Sequence, residues 1–348
     1  MCDIMKKFKL LIVASLVLIS MLCTLWGCNT NTNPQKAQAE IYALDTIIEI
    51  TAYGEKAQEA ITAAKAEIYA LEKLFSVTDT DSDTHRINTA QGNPVKVSDE
   101  VYTIIEKSLE YNTLTKGNFD ITLYNVTKLW GFTTDSQRVP EDYEITEALK
   151  NTGSHKVTLY GNNEISVSEG TALDLGAVAK GYIGDRVAEV LSDSGAEYGI
   201  ISLGGNIRTF GEKADGSKWR TGIRHPHENG YFIIADTGEV SVITSGAYQR
   251  NFTVDGKTYH HIINPETGYP SESDAQSVTI IGTDGALCDA LSTAVFIGGT
   301  EYADKLYKEL QNFEYIILSK DNTVYASQGL KGSLELSHNY KDMEIIYR

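Results

Sequence analysis

Leu173-Asp174-Leu175-Gly176-Ala177-Val178-Ala179-Lys180-Gly181-Tyr182 reads as a strand that ends in a glycine turn and runs into a helix with a lysine in its first turn. The helix is written in the spacing of Ile183, Val187, Val190 and Leu191, at i, i+4, i+7 and i+8. A helix start offers unpaired backbone N–H groups and the positive end of the peptide dipole, so a lysine there suits a phosphate. Taken alone, a solvated cap is the commoner meaning of such a junction. Its glycines match neither G-x-G-x-x-G nor G-x-x-x-x-G-K-[ST].

Outward from that block, Ile41 to Tyr53 reads as a strand with partial alternation. Ala57 to Phe75 reads as a long amphipathic helix with Ile61, Ala64, Ile68, Leu71 and Phe75 on one side. Thr78 to Asn93 is a polar loop, and Ser98 caps a second helix over Glu100 to Leu114. Short β-like runs follow at 156–160, 164–168, 198–203, 231–235 and 240–243. A helix beginning near Thr283, another over 301–311 and a hairpin near 314–326 complete the chain. Strands outnumber helices and are mostly joined by tight turns, so the fold class is α+β, with mainly antiparallel sheets and packed helices. No linker after the amino-terminal region marks a boundary, which leaves one large domain or two fused subdomains.

At the amino terminus, Lys6, Lys7 and Lys9 precede an apolar run from Leu10 to Leu22 and then Leu25-Trp26-Gly27-Cys28. The run is shorter than the ~20 residues a spanning helix needs, which favours a secretion signal over a signal anchor. Residues 1–27 are expected to be a lipoprotein signal peptide, 28–40 a lipid-anchored flexible linker and 41–348 the catalytic body. Cys28 would carry the lipid, palmitate included, and hold the protein on the extracytoplasmic face of the cell membrane. Cys2 and Cys23 would leave with the signal, so Cys288 alone remains in the body and no internal disulfide can form.

A formal net charge of −17 excludes a nucleic-acid partner, which is bound through phosphate neutralisation by Lys and Arg. It also means that any phosphate ligand needs a metal cation or a locally basic pocket.

Four further segments carry candidate chemistry. Asp289 and Thr293 lie four apart on one helix face, beside an apolar stripe of Leu287, Ala290, Leu291, Ala294 and Val295. They offer two hard oxygens, suited to Mg2+ and not to zinc; by spacing alone, an aspartate favoured by the helix dipole explains them as well. Gly204-Gly205-Asn206 after an apolar run is a hairpin turn or a close backbone approach to a ligand. Thr244-Ser245-Gly246, with Arg250 beyond, suits an oxyanion or a plain turn, and the absence of G-x-S-x-G argues against a serine nucleophile. His260 and His261 are adjacent on a strand and face opposite sides, so at most one enters any site, and H-E-x-x-H is absent.

In this order, with Asn118-Phe119-Asp120 in a G-x-F-D-x-T context, His261-Ile262-Ile263-Asn264-Pro265 and Asp289-Ala290-x-x-Thr293, the segments resemble the ApbE family of FAD:protein FMN transferases. The resemblance runs from about Tyr42 to the last helices. It departs where Leu44-Asp45-Thr46 stands for Met-Gly-Thr, where an aromatic is missing near Ser76-Val77-Thr78, and where Asn264 replaces an aspartate. It implies a T-fold-like architecture. It also implies Mg2+ held by the Ala177 carbonyl with Asp289 and Thr293. FAD would be contacted by Leu44, Phe119, Asp120, Asp174, Lys180, Gly205, Thr244, Ser245, Gly246 and Ile263.

The implied reaction moves FMN from FAD to a Ser or Thr hydroxyl of an exported acceptor with a D-x-x-[ST]-G-A-T-like motif, releasing AMP. His261, Lys180 and Asp289 would carry it, with His261 as base because its ordinary pKa of ~6.5 suits that work. The acceptor lies in trans, since this chain has only Ser245-Gly246-Ala247-Tyr248. The alternatives are a Mg2+-dependent FAD pyrophosphatase, in which water replaces the acceptor, and a flavin-binding lipoprotein without catalysis.

Overall fold

The computed structural model of the protein describes residues 34–348, so the expected signal peptide and Cys28 lie outside the described residues. Leu44 and Asp45 both take left-handed backbone angles, φ 54° and 55°. Two such residues in succession make the tight turn that matches the twist of a β-hairpin. Ile41 to Tyr53 is therefore not one strand but parts of two arms, β1 (Lys36–Ala43) and β2 (Thr46–Tyr53), with Ala43 opposite Thr46. No glycine marks this turn, so alternation ran on through it in the sequence. β1 also begins at Lys36, inside the stretch expected to be linker.

Seven more strands complete a nine-stranded sheet: β3 (Tyr198–Leu203), β4 (Asn206–Phe210), β5 (Ser241–Gly246), β6 (Ala275–Gly282), β7 (Glu314–Ser319), β8 (Val324–Ala326) and β9 (Ile345–Tyr347). Their order in space is their order in the chain. Every neighbouring pair is antiparallel except the last, β8 with β9. The period of two sends alternate side chains to two cores: Ile243 joins the helical side and Val242 the other. Helices α1 (Ala57–Phe75), α6 (Ala179–Asp193) and α7 (Gly285–Leu310) cover the first face. A three-stranded sheet, Trp219–Arg224 with Tyr231–Thr237 and Leu334–Leu336, closes the second.

The stretch read as a polar loop contains α2 (Asp83–Thr89), capped by the Ser82 hydroxyl accepting from His85 N–H. Helix α3 (Asp99–Leu114) starts at Ser98 as expected. Two short helices, α4 (Tyr124–Trp130) and α5 (Asp142–Leu149), were not legible, being too short to show periodicity. They form a lobe with the hairpin Asn251–Val254/Lys257–His260, in which Trp130 stacks on Phe132 at 5.8 Å and donates its indole N–H to the Gly268 carbonyl at 2.9 Å. The two helices expected after Thr283 are one element, α7, kinked at Gly299 (φ 75°). Asp274 holds the kink by accepting from the Thr300 N–H and hydroxyl.

Helices α6 and α7 cross where backbone meets backbone. A Cβ on Gly181 would lie 2.0 Å from the Gly285 carbonyl oxygen, and one on Gly285 would lie 2.6 Å from the Gly181 carbonyl oxygen. Gly181→Ala should therefore destabilise the protein by about 1–3 kcal/mol or more, the usual cost of overpacking. Urea unfolding checks this, and an unchanged midpoint would mean the crossing can relax.

Candidate active site

The register brings two turns and a strand end to one end of the sheet. Ala43 faces Thr46, Ile48 faces Leu203, Leu203 faces Asn206 and Val242 faces Ile207. The Leu44–Asp45 turn, the Gly204–Gly205 turn and the end of β5 therefore lie side by side. Gly204 has φ 62° and would put a Cβ 2.3 Å from the Thr46 hydroxyl, so only glycine fits where the two turns touch. Thr244, Ser245 and Gly246 belong to β5 itself rather than to a turn after it. They alternate accordingly: the Thr244 hydroxyl meets that of Thr279 at 2.8 Å, and the Ser245 hydroxyl turns to the helical side and meets Ser292 of α7 at 2.7 Å.

The block from Leu173 to Tyr182 lies against this end. Its first residues are not a sheet strand; an isolated bridge joins Ala172 to Leu123. The extended course is instead fixed by Asn88 of α2, whose amide accepts from Leu173 N–H at 2.7 Å and donates to its carbonyl at 2.9 Å. Asp174 N–H then donates to the Ile121 carbonyl at 2.8 Å, which ties the block to the Phe119–Asp120 segment.

Asp289 is almost fully buried, 4% exposed, and its Oδ2 accepts from Gly181 N–H at 2.9 Å. Asn206 donates to its Oδ1 at 3.3 Å. Helix α6 begins at Ala179 after Val178, whose backbone is not helical, so Gly181 N–H belongs to the first turn and has no acceptor within the helix; Asp289 supplies one. The Ala177 carbonyl lies just before the helix, outside its hydrogen-bond ladder. Thr293 stands one turn beyond Asp289, half-buried on the same helix face.

Lys180, Arg250, Asp174 and His261 form a second group beside the first. Asp174 Oδ1 accepts from Gly176 N–H at 2.8 Å. Burial pushes its carboxyl up from the ordinary value, while the Gly176 bond and the Arg250 and Lys180 cations pull the other way. Arg250 also lies 3.9 Å from Asp45 in the hairpin turn. The two adjacent histidines part as expected: the His260 ring packs edge-on against Phe296 at 5.4 Å, with Nε2 2.9 Å from the Ser271 carbonyl. His261 Nδ1 lies 3.2 Å from the Arg250 carbonyl, an acceptor only, so the ring proton sits on Nδ1 and leaves the Nε2 lone pair free. Burial above all, then Lys180, His260 and Arg250, pushes the ring's pKa down to about 4, and the Arg250 bond opposes this. His261 is therefore neutral at neutral pH.

The remaining candidates contribute differently. Phe119 is 1% exposed and sits edge-on to Tyr111 in the core, its N–H donating to the Thr115 hydroxyl and its carbonyl accepting from the Asn112 amide, so it anchors the Asp120 segment from within the core. Asp120 Oδ1 accepts from the Thr122 N–H and hydroxyl, and burial raises its carboxyl pKa. Ile263 is buried in the aromatic lobe. Leu44 N–H donates to Glu72 of α1 at 2.6 Å. Arg250 and Asn206, named in the sequence only as members of candidate turn segments, join the site, Arg250 beside Asp174 and Asp45 and Asn206 at Asp289. Among the described residues no cluster of three His, Cys, Asp or Glu side chains could hold a metal, so any cation here depends on backbone and hydroxyl oxygens beside a single carboxylate.

Comparison with known proteins fits this arrangement. The FAD:protein FMN transferase of Treponema pallidum (strain Nichols) is 30% identical over 336 residues, spanning 90% of this chain and 93% of that protein. That of Klebsiella pneumoniae (strain 342) is 34% identical over 250 residues, spanning 69% and 76%. The crystal structure of the ApbE protein from Thermotoga maritima superposes with a TM-score of 0.79 at 32% identity, covering 88% of this chain and 98% of that one. The flavin transferase ApbE from Vibrio cholerae gives 0.76 at 27% identity, covering 86% and 99%. The family model described as the ApbE family matches residues 44–317, and with these relatives it places the chain in that family: the protein belongs to the ApbE family.

Proposed function

We propose that this protein transfers the FMN half of FAD to a Ser or Thr hydroxyl of an exported acceptor protein, with release of AMP. The observation that carries this reading is the Asp289–Gly181 bond, which seats a buried carboxylate at the start of the helix that bears Lys180, next to the Ala177 carbonyl just before it. The names of the relatives support it.

The site residues fit Mg2+: one buried carboxylate that accepts from Gly181 N–H and the Asn206 amide, one backbone carbonyl and one hydroxyl, all hard oxygens. Bound there, Mg2+ would supply positive charge at the pyrophosphate. Ala177, Asp289 and Thr293 would hold it, and Lys180 at the helix start would bind the phosphates.

In the transfer, the acceptor oxygen bonds to the FMN phosphorus as the bond from that phosphorus to the bridging oxygen breaks, and that oxygen leaves on AMP. His261 Nε2 takes the acceptor's hydroxyl proton; its neutral state and free lone pair suit this role. Lys180 offsets charge building on the leaving AMP. Leu44, Asp120, Asp174, Gly205, Thr244 to Gly246 and the Ile263 backbone would line the flavin and adenine ends of FAD, with Phe119 holding the Asp120 segment in place. The acceptor would carry a D-x-x-[ST]-G-A-T-like motif. We place the protein on the extracytoplasmic face of the cell membrane, anchored through lipid on Cys28, a reading that rests on the residues from Lys6 to Cys28. A Cys28→Ala change should move the protein from the membrane to the soluble fraction.

Incubating the body of the protein with FAD, Mg2+ and a domain bearing D-x-x-S-G-A-T should add one FMN to that domain by intact mass, release AMP and stop in EDTA. FMN and AMP without a mass gain would instead support a pyrophosphatase, and unchanged FAD a binding protein. Asp289→Ala should lower turnover by on the order of 10²-fold, as loss of a charge-positioning group does. By NMR the His261 ring should titrate near pH 4 rather than at its ordinary 6.5. Since the folded ring binds its proton less tightly than the unfolded one, this histidine makes the native state lose stability as pH falls from 6.5 toward 4, and His261→Gln should lessen that loss.

A further inference from the structure

Helices α6 and α7 carry the same short pattern at their crossing, a glycine followed four residues later by an aspartate: Gly181-Tyr182-Ile183-Gly184-Asp185 and Gly285-Ala286-Leu287-Cys288-Asp289. The two patterns exchange bonds. Gly181 N–H donates to Asp289 Oδ2 at 2.9 Å, and Gly285 N–H donates to Asp185 Oδ2 at 2.6 Å. Each aspartate thus satisfies a first-turn N–H of the other helix, of the kind that has no partner within its own helix or gives one up. Both bonds flank the glycine–glycine contact, where a Cβ on Gly285 would also lie 2.9 Å from Asp185 Oδ1.

Only the Asp289 half of this clasp lies at the candidate site. Asp185 lies a turn deeper, where its Oδ1 pairs with Arg208 Nε at 3.0 Å and receives the Ser241 hydroxyl at 3.5 Å. Around it stand Asp284, which caps α7 and pairs with Lys107, and Glu239 beyond Arg208. Burial raises the Asp185 carboxyl to about 6, against the pull of Arg208 and the Gly285 bond. Arg208 and Gly285 N–H thus hold the two oxygens of Asp185 at the helix crossing.

We propose that Asp185 is a positioning residue for Asp289: by holding Gly285 N–H it fixes the height of α7 along α6, which sets the Asp289 carboxylate at Gly181 in the first turn of α6. The inference rests on the reading of Asp289 given above. A slip of α7 would withdraw the Asp289 carboxylate from Gly181 and so from the start of α6 on which the site depends.

The test compares Asp185→Ala with Asp185→Asn, which keeps an acceptor oxygen for Gly285 N–H. Backbone amide exchange is read at Gly181 and Gly285, alongside kcat and KM for FAD. The alanine variant should lose protection at both glycines, although Gly181 is bonded to Asp289 and not to residue 185. Its kcat should fall by roughly 10- to 100-fold, the scale of a small misplacement, with KM for FAD changed little. The asparagine variant should restore protection at both glycines and most of kcat.

Loss of protection at Gly285 alone, with kcat within twofold of wild type, would overturn the proposal, because Asp185 would then be only a local cap. Equal loss in both variants would overturn it too, since charge toward Arg208 and not the Gly285 bond would be responsible. If the alanine variant does not fold, Asp185→Ser, whose hydroxyl is too short for Gly285 N–H, carries the same comparison. Absence of FMN transfer in the wild-type protein would count against the proposed function instead; the exchange at Gly181 needs no turnover and still decides the clasp.

Discussion

The contact on which the site depends is the crossing of two glycines. Gly181 and Gly285 bring the backbones of α6 and α7 so close that neither accepts a Cβ. That closeness lets side chains from each helix reach the other's first turn. An aspartate side chain is short; from a helix held at the usual 8–10 Å separation it would not reach the neighbouring backbone. The bond between Asp289 and Gly181 is therefore a product of packing as much as of hydrogen bonding.

The same geometry handles the electrostatic problem of the chain. A protein with a formal net charge of −17 repels phosphates at long range. At the end of the sheet the charge is sorted locally: Lys180 and Arg250 converge on Asp174 and His261, and the open N-terminus of α6 adds its dipole. Burial strengthens these short interactions and, with Lys180 and Arg250, keeps His261 neutral. The sheet contributes by simple order. Its strands lie in space as they lie in the chain, so the hairpin turns at Leu44–Asp45 and Gly204–Gly205 stack beside β5 at the site.

Much of this was legible in particular residues. The helix at Lys180 stood in the spacing of Ile183, Val187 and Leu191, and the long first helix in Ile61, Ala64, Ile68 and Leu71, all of which are buried. His260 and His261 part to different partners because neighbours on an extended chain must. Other elements left no trace. The turn at Leu44–Asp45 is built from residues that do not announce a left-handed backbone, and α2, α4 and α5 are too short for a period to emerge. Asn88 shows the cost of that gap: it sits in a helix read as loop, yet it grips Leu173 through both its N–H and its carbonyl.

The sequence by itself determined the α+β class, the main helices, the strands β3 and β5 with the β7–β8 hairpin, and which residue types could meet a phosphate or a hard cation. These follow from local rules, since hydrophobic period, glycine and capping residues act over a few positions along the chain. Only the tertiary structure decided which of those residues share a site. Asp289 meets Gly181 across a separation of 108 residues, and Asp185 meets Gly285 across 100. Such pairings depend on how two helices settle on one sheet, and the close packing that fixes them is a property of the whole core and of no segment within it.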